Sequence, residues 1–172
     1  MKKAVILIAD HYQDLEVWYP LLRLKEAGWS VVSAGVESRK NYTGKNGYPI
    51  VVDTHVDEIR AEEFDCVIVP GGWAPDYIRR SPSALEIVRR MNDQRRIVAA
   101  ICHAGWVLCS AGILKGRRCT SFSAIKDDMV NAGATWEDAE TVVDRNLVTA
   151  RKPEDLPAFC RAILDVASHG EC

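Results

Sequence analysis

Short apolar runs along this chain alternate with longer stretches in which apolar residues recur every three or four positions, and that alternation predicts its elements. Residues 3–9, K-A-V-I-L-I-A, are apolar without alternation, as in a central parallel strand covered on both faces. Asp10 to Asp14 make a polar loop, after which Leu15, Trp18 and Leu22 carry helical spacing up to a stop at Gly28. Pro20 interrupts that stretch. Because proline fits a first turn or a kink, the main helix is expected to begin near it. Trp29 to Ala34 predict a second strand, and the polar segment Gly35 to Pro49 reads as a loop or a small hairpin before a short strand over 50–53. A short helix over 57–63 then precedes a buried strand, 66–69, that ends in Pro70, Gly71 and Gly72.

Ser81 and Pro82 supply a cap and a first-turn proline for a helix to about Asn92, with Leu85, Val88 and Met91 on one face. Ile97 to Ile101 form another strand, and Ala104 to Ala111 a helix closed by Gly112. Then come a brief strand at 118–121, a helix over 124–132 stopped at Gly133, and two strand pieces around a turn in V-V-D-R-N-L-V-T-A. A helix over 153–167 closes the chain, with fraying expected from Ser168 to Cys172. Alternating strands and helices predict a three-layer α/β sandwich with a mostly parallel sheet. At 172 residues, without an internal repeat or linker, the chain reads as a single domain, 1–172.

Charge narrows the partners. The 22 basic and 24 acidic residues give a net charge of −2, and no segment gathers the positive charge into a stripe, so nucleic acid is not expected. The first apolar run ends at Asp10, too short to span a membrane and without a cleavage site after it, so neither a membrane nor export is expected. Six cysteines at 66, 102, 109, 119, 160 and 172 show no C-x-x-C or zinc-finger spacing. Neither structural zinc nor another metal is expected. Free thiols in apolar patterns fit a reducing, cytoplasmic setting.

Candidate chemistry collects where strands end, because ligands of open parallel sheets bind beyond the carboxyl ends of the strands. Cys102 falls on the turn from the 97–101 strand into the next helix, whose amides and positive dipole end favour a thiolate. His103 is the adjacent acid or base, although an extended backbone points neighbouring side chains opposite ways and argues against a direct pair. Gly71 and Gly72 are candidate oxyanion donors, and Trp18, Trp73 and Trp106 candidate walls of the mouth.

The segments A-I-C-H-A-G-W-V-L-C-S-A-G-I-L-K-G-R, P-G-G-W-A-P-D, T-S-F-S-A-I-K-D-D-M-V-N-A-G-A and R-K-P-E-D-L-P-A-F resemble the ThiJ/PfpI family of cysteine proteins, in its PfpI-like intracellular protease branch. The resemblance covers nearly the whole chain. It implies a flavodoxin-like sandwich, a nucleophile elbow at Cys102 with His103 beside it, and assembly into dimers or hexamers. In that branch a carboxylate after P-G-G reaches the histidine of a neighbouring subunit, and Asp76 stands in that place here. Family members include proteases, glyoxalases that need no metal or added glutathione, deglycases and oxidation-sensitive stress proteins. The resemblance therefore implies a cofactor-free cysteine hydrolase acting on a small carbonyl, amide or peptide, or alternatively a stress protein whose Cys102 is oxidised to sulfinate.

The chain departs from the family pattern in three places. Gln13 in D-H-Y-Q-D stands where a glutamate near the nucleophile is expected, so a poor glyoxalase follows, because an amide cannot take up the proton that this reaction moves; the alternative is that Gln13 only caps the following helix and never approaches the sulfur. Ala104, Gly105 and Trp106 replace the common G-P-Q, changing the pocket wall. Phe122 replaces a frequent tyrosine and removes a polar group from the pocket.

Overall fold

A computed structural model describes residues 1–169, and the expected three-layer sandwich is what forms. Strand β1 (Lys3–Ile8) holds the centre of the sheet because Ala4 to Ile8 are apolar on both faces and wholly buried. The chain returns through helix α1 (Asp14–Glu26) to strand β2 (Ser30–Gly35), parallel to β1. A hairpin of β3 (Asn41–Thr43) and β4 (Pro49–Val51) follows, and β5 (Thr54–His55) then pairs with β2. The chain next crosses to the far side of β1, where β6 (Cys66–Val69) pairs with it.

Helices α2 (Ala74–Ile78) and α3 (Pro82–Asp93) lead to β7 (Ile97–Ile101), and α4 (Gly105–Ala111) follows. A short parallel pair, β8 (Arg118–Cys119) with β9 (Thr135–Trp136), flanks α5 (Lys126–Asn131) outside the main sheet. The antiparallel β10 (Thr141–Asp144) and β11 (Leu147–Ala150) complete the edge, and α6 (Leu156–Ser168) packs back against α1. The main sheet runs β10-β11-β7-β6-β1-β2-β5, so strand order reverses at β1. The crevice beyond the carboxyl ends of β1, β6 and β7 is therefore where this topology leaves room for a ligand. None of the described helices is long and apolar enough to cross a membrane.

Local expectations differ in four places. Helix α1 starts at Asp14 and runs through Pro20, because the Gln13 side chain caps it and Asp14 anchors it to the hairpin by accepting from the amides of Asn46 and Tyr48. Its inward face carries Glu16, Val17, Leu21 and Leu24, whereas Leu15 and Leu22 point outward. The 57–63 helix is two 3-10 turns, Val56–Glu58 and Ala61–Glu63. Finally, α6 continues through Ser168 instead of fraying there; the rest of the expected fraying, over 170–172, lies outside the described residues.

Candidate active site

Strand β7 delivers Cys102 into a left-handed backbone conformation, φ +62°, from which the chain enters a 3-10 turn, Cys102–Ala104, and then α4. A non-glycine residue held there costs roughly 1–2 kcal/mol, a strain that folded proteins retain mainly at functional positions. This conformation also overturns the argument against a Cys102–His103 pair. The backbone at Cys102 is not extended, so both side chains fall on one side and Sγ lies 3.3 Å from His103 Nδ1.

The carboxyl group of the site comes from Glu16. Gln13 turns away from the sulfur and spends its Oε1 on the Glu16 amide, 3.1 Å away, as the N-cap of α1. One helical turn later, on the inward face, Glu16 is wholly buried and its Oε2 accepts from the Gly71 N–H at 2.7 Å. The other oxygen, Oε1, is buried without a conventional partner, and interaction with the Cys102 thiol eases Glu16's ionisation. Gly71 has to be glycine. A Cβ there would stand 2.5 Å from Glu16 Oε2 and 2.7 Å from Cys102 Cβ. The reading of Gln13 as the family glutamate's replacement is thereby corrected, and with it the inference that the site lacks a carboxyl acid/base.

The oxyanion assignment divides. Gly71 gives its N–H to Glu16 and is not available to a substrate, whereas the amides of Gly72 and His103 both face the Cys102 sulfur. Gly72 sits at φ +73° in a bridge with Tyr12, flanked by hydrogen bonds from Gln13 N to Gly71 O and from Trp73 N to His11 O. Those contacts tie the loop after β1 to the loop after β6.

Burial dominates the electrostatics. It pushes Glu16 up to about 7, against the Gly71 amide, the Lys45 charge and the thiol. Burial and then the Glu16 charge push Cys102 up to about 12, against the amides of His103 and Gly72 and the Lys45 charge. Burial and the neighbouring Glu16 charge thus oppose the thiolate expected from the amino end of the seven-residue α4, which is entered through a 3-10 turn. The two groups titrate as a pair, and a proton leaving sulfur has Glu16 as its acceptor. Burial, and secondarily Lys45, hold His103 below its usual value.

Around this centre, His103 stacks on Phe122 at 5.1 Å and meets Trp106 edge-on at 5.2 Å, while Trp106 is fixed by a hydrogen bond from Nε1 to Asp128 at 2.9 Å. Trp73, 65% exposed, and Trp106 line a cavity of about 450 Å³ with His11, Asp76 and Tyr77. Ala104 is wholly buried, and Trp18 packs edge-on against Tyr48. Asp76 is ion-paired to Arg80 on its own helix side, at 3.0 Å. Sequence reasoning missed Lys45, whose loop is held by its amide on the Tyr12 carbonyl and whose charge reaches Glu16, Cys102 and His103. It missed Glu16 too, although one charged residue on the inward stripe of α1 was a visible signal.

A cysteine on a left-handed elbow above a flavodoxin-like sheet, with a buried glutamate against it, defines a nucleophile-elbow cysteine protein. The chain belongs to the DJ-1/PfpI family, whose model matches residues 2–166. It is 47% identical over 159 residues to the deglycase PH1704 of Pyrococcus horikoshii, covering 92% of this chain and 95% of that one. It is 38% identical over 165 residues to the putative cysteine protease YraA of Bacillus subtilis, covering 96% and 98%. Among solved structures, a two-domain DJ-1/ThiJ/PfpI-like and ferritin-like protein of Anabaena variabilis superposes with a TM-score of 0.95 at 42% identity. That match covers 98% of this chain, which spans about half, 48%, of that longer protein.

The geometry separates the roles of Gln13 and Gly71 by experiment. Gln13→Ala should cost about 1 kcal/mol of stability as a lost helix cap and leave Cys102 reactivity unchanged, whereas Gly71→Ala should abolish that reactivity in a protein that still folds. Thermal melts and iodoacetamide labelling followed by mass spectrometry read both. Glu16, raised from 4.5 to about 7, favours the fold below its unfolded value and loses that contribution as pH rises through about 7. Wild type should therefore lose up to about 3 kcal/mol between pH 4 and 8 that Glu16→Gln does not lose, as followed by denaturant melts against pH.

Proposed function

We propose that this protein is a cysteine-dependent deglycase that acts on small 2-oxoaldehydes and their amine adducts with Cys102 as nucleophile. The observation that carries this reading is the Glu16 carboxyl, held by Gly71 against Cys102 with one oxygen free. Relatives 46–48% identical and named deglycases support it, and the free described cysteines suit a reducing cytoplasm. In the simplest case the Cys102 proton passes to Glu16 as sulfur bonds to the aldehyde carbon. The carbonyl electron pair moves to oxygen, which takes the proton back from Glu16 near the amides of Gly72 and His103. Glu16, again a carboxylate, removes the proton on that carbon and returns it to the neighbouring one, while the hydroxyl proton on the first carbon moves to the oxygen of the second, leaving a thioester of a 2-hydroxy acid. Water cleaves the thioester and restores the thiol. The weak glyoxalase activity expected from Gln13 gives way to a competent one, because the proton shuttle is Glu16.

Methylglyoxal turnover and release of amine from a methylglyoxal-treated peptide test the reading directly. Cys102→Ser should remove both, and Glu16→Gln should lower kcat by about 10²-fold or more while Gln13→Ala leaves it within a factor of two or so. Absence of both activities in the wild type, or full activity in Glu16→Gln, overturns it.

The oligomer belongs to the same proposal. Among the described residues His103 faces Cys102 and two aromatic rings, Phe122 and Trp106, while Asp76 and Trp73 stand exposed on the cavity that Trp106 also lines. A second copy bringing its own Asp76 to His103 would complete the site. Light scattering should then give a dimer or larger, and Asp76→Asn should lower the His103 pKa in an NMR titration. A monomer at micromolar concentration overturns this part.

A further inference from the structure

The turn of the β3–β4 hairpin lies at the surface, yet it is bonded closely to the loop that carries the site. The Lys45 amide donates to the Tyr12 carbonyl at 2.8 Å, and the His11 amide donates to the Thr43 carbonyl, also at 2.8 Å. The Asp14 carboxylate accepts from the amides of Asn46 and Tyr48, and the Tyr12 hydroxyl donates to the Tyr48 carbonyl. Gly44 lies so close to Asp14 that a Cβ there would collide with the carboxylate. Tyr12 in turn forms the bridge with Gly72, whose amide faces the Cys102 sulfur. One residue, Tyr12, therefore stands between the Lys45 backbone and an oxyanion donor.

What this clamp brings to the site is a positive charge. The charge of Lys45 reaches the base, the nucleophile and the histidine, Glu16, Cys102 and His103 alike. The side chain is exposed, and among the described residues its ammonium has no ion-pair partner. The nearest carboxylate on the same clamp, Asp14, is spent on backbone amides.

The reaction proposed for this site leaves one oxygen in need of such a charge. Once sulfur has bonded to the aldehyde carbon, the oxygen on that carbon lies near the amides of Gly72 and His103. When Glu16 removes the proton from the same carbon, the C–H electron pair becomes a carbon–carbon double bond. The carbonyl pair of the second carbon then moves onto the second oxygen, and the enediolate carries its negative charge there. Nearby groups do not supply a donor for it: the Gly71 N–H is held by Glu16, the Trp106 Nε1–H by Asp128, and Phe122 has none to give.

We propose that Lys45 is a catalytic residue of this reaction, its ammonium donating a hydrogen bond to the oxygen of the substrate's second carbonyl and balancing the enediolate charge until the hydroxyl proton of the first carbon reaches that oxygen. The proposal rests on the deglycase reading and adds to it the group that makes a 2-oxoaldehyde, with its two adjacent oxygens, the fitting substrate. A preorganised donor at a developing oxyanion contributes about 10²–10³ in rate, and Lys45 supplies its charge on a turn fixed before the substrate arrives.

Two measurements separate the steps: turnover of methylglyoxal, and protection of Cys102 from iodoacetamide by propanal, an aldehyde without a second carbonyl. Lys45→Met should lower kcat for methylglyoxal by about 10²-fold or more and leave propanal protection within about threefold of wild type. Methylglyoxal deuterated on its aldehyde carbon should show a larger isotope effect in Lys45→Met than in wild type, because the lost charge slows proton removal. Lys45→Arg, which keeps the charge on the same turn, should regain at least about tenfold of the lost kcat. The proposal is overturned by full turnover in Lys45→Met, or by a Lys45→Arg variant no better than Lys45→Met. Iodoacetamide labelling that falls as far as kcat makes Lys45 a tuner of the thiol, and loss of propanal protection makes it a part of the fold or of aldehyde binding; either result rejects the enediolate role. A wild type that turns over no 2-oxoaldehyde removes the deglycase reading itself, whereas an active wild type matched by Lys45→Met removes this inference alone.

Discussion

The amide of Gly71 can hold a buried carboxyl against a cysteine only because no side chain stands between them. A Cβ at Gly71 would collide with both Glu16 Oε2 and Cys102 Cβ, so the hydrogen bond, the burial of Glu16 and the approach of the two reactive groups are one constraint. Removing a carboxylate from water is expensive, and a single amide offsets only part of that cost. The remainder appears as the raised proton affinity of Glu16, which places its ionisation near neutrality. A general acid/base is most effective there. The feature that makes the site uncomfortable to build is also what suits it to moving protons.

Sheet topology brings these groups together without any of them being near in sequence. Glu16 follows β1, Gly71 follows β6 and Cys102 follows β7, and these three strands are consecutive neighbours in the sheet. The bridge between Tyr12 and Gly72 locks the first two loops in register, while the Phe122 amide bonds to the Cys102 carbonyl from the far side. The elbow is thus gripped from both flanks, which is how a left-handed cysteine persists in a chain free to relax elsewhere. Lys45 reaches the same point from the hairpin, whose loop Asp14 draws down onto the start of α1.

Most of the fold was legible because its strands are continuous apolar runs and its helix stops are glycines. The site was legible where chemistry is local: Cys102 on a strand-to-helix turn, His103 beside it, and glycines closing β6. It was illegible where position depends on helical phase. Starting α1 near Pro20 hid the turn that carries Glu16 and left Gln13 as the residue read in the family glutamate's place; of its two expected roles, helix cap is the one it fills. A residue three places further along lies on the opposite side of that judgement, because its burial follows from the Val17, Leu21 and Leu24 stripe, not from its own polarity. The thiol's direction of shift was likewise out of reach. A helix dipole can be guessed from a pattern, but the desolvation and the neighbouring charge that outweigh it need coordinates.

Strain offers a way of reading such a chain that composition does not. Glycine would remove the steric cost at each left-handed position, and this protein uses it freely, at Gly28, Gly112, Gly116 and Gly133. Where a side chain is kept in spite of that cost, the side chain itself has to account for it. At Cys102 the account is the sulfur, and at His11 it is a carbonyl that receives the Trp73 amide beside an imidazole on the rim of the aromatic cavity.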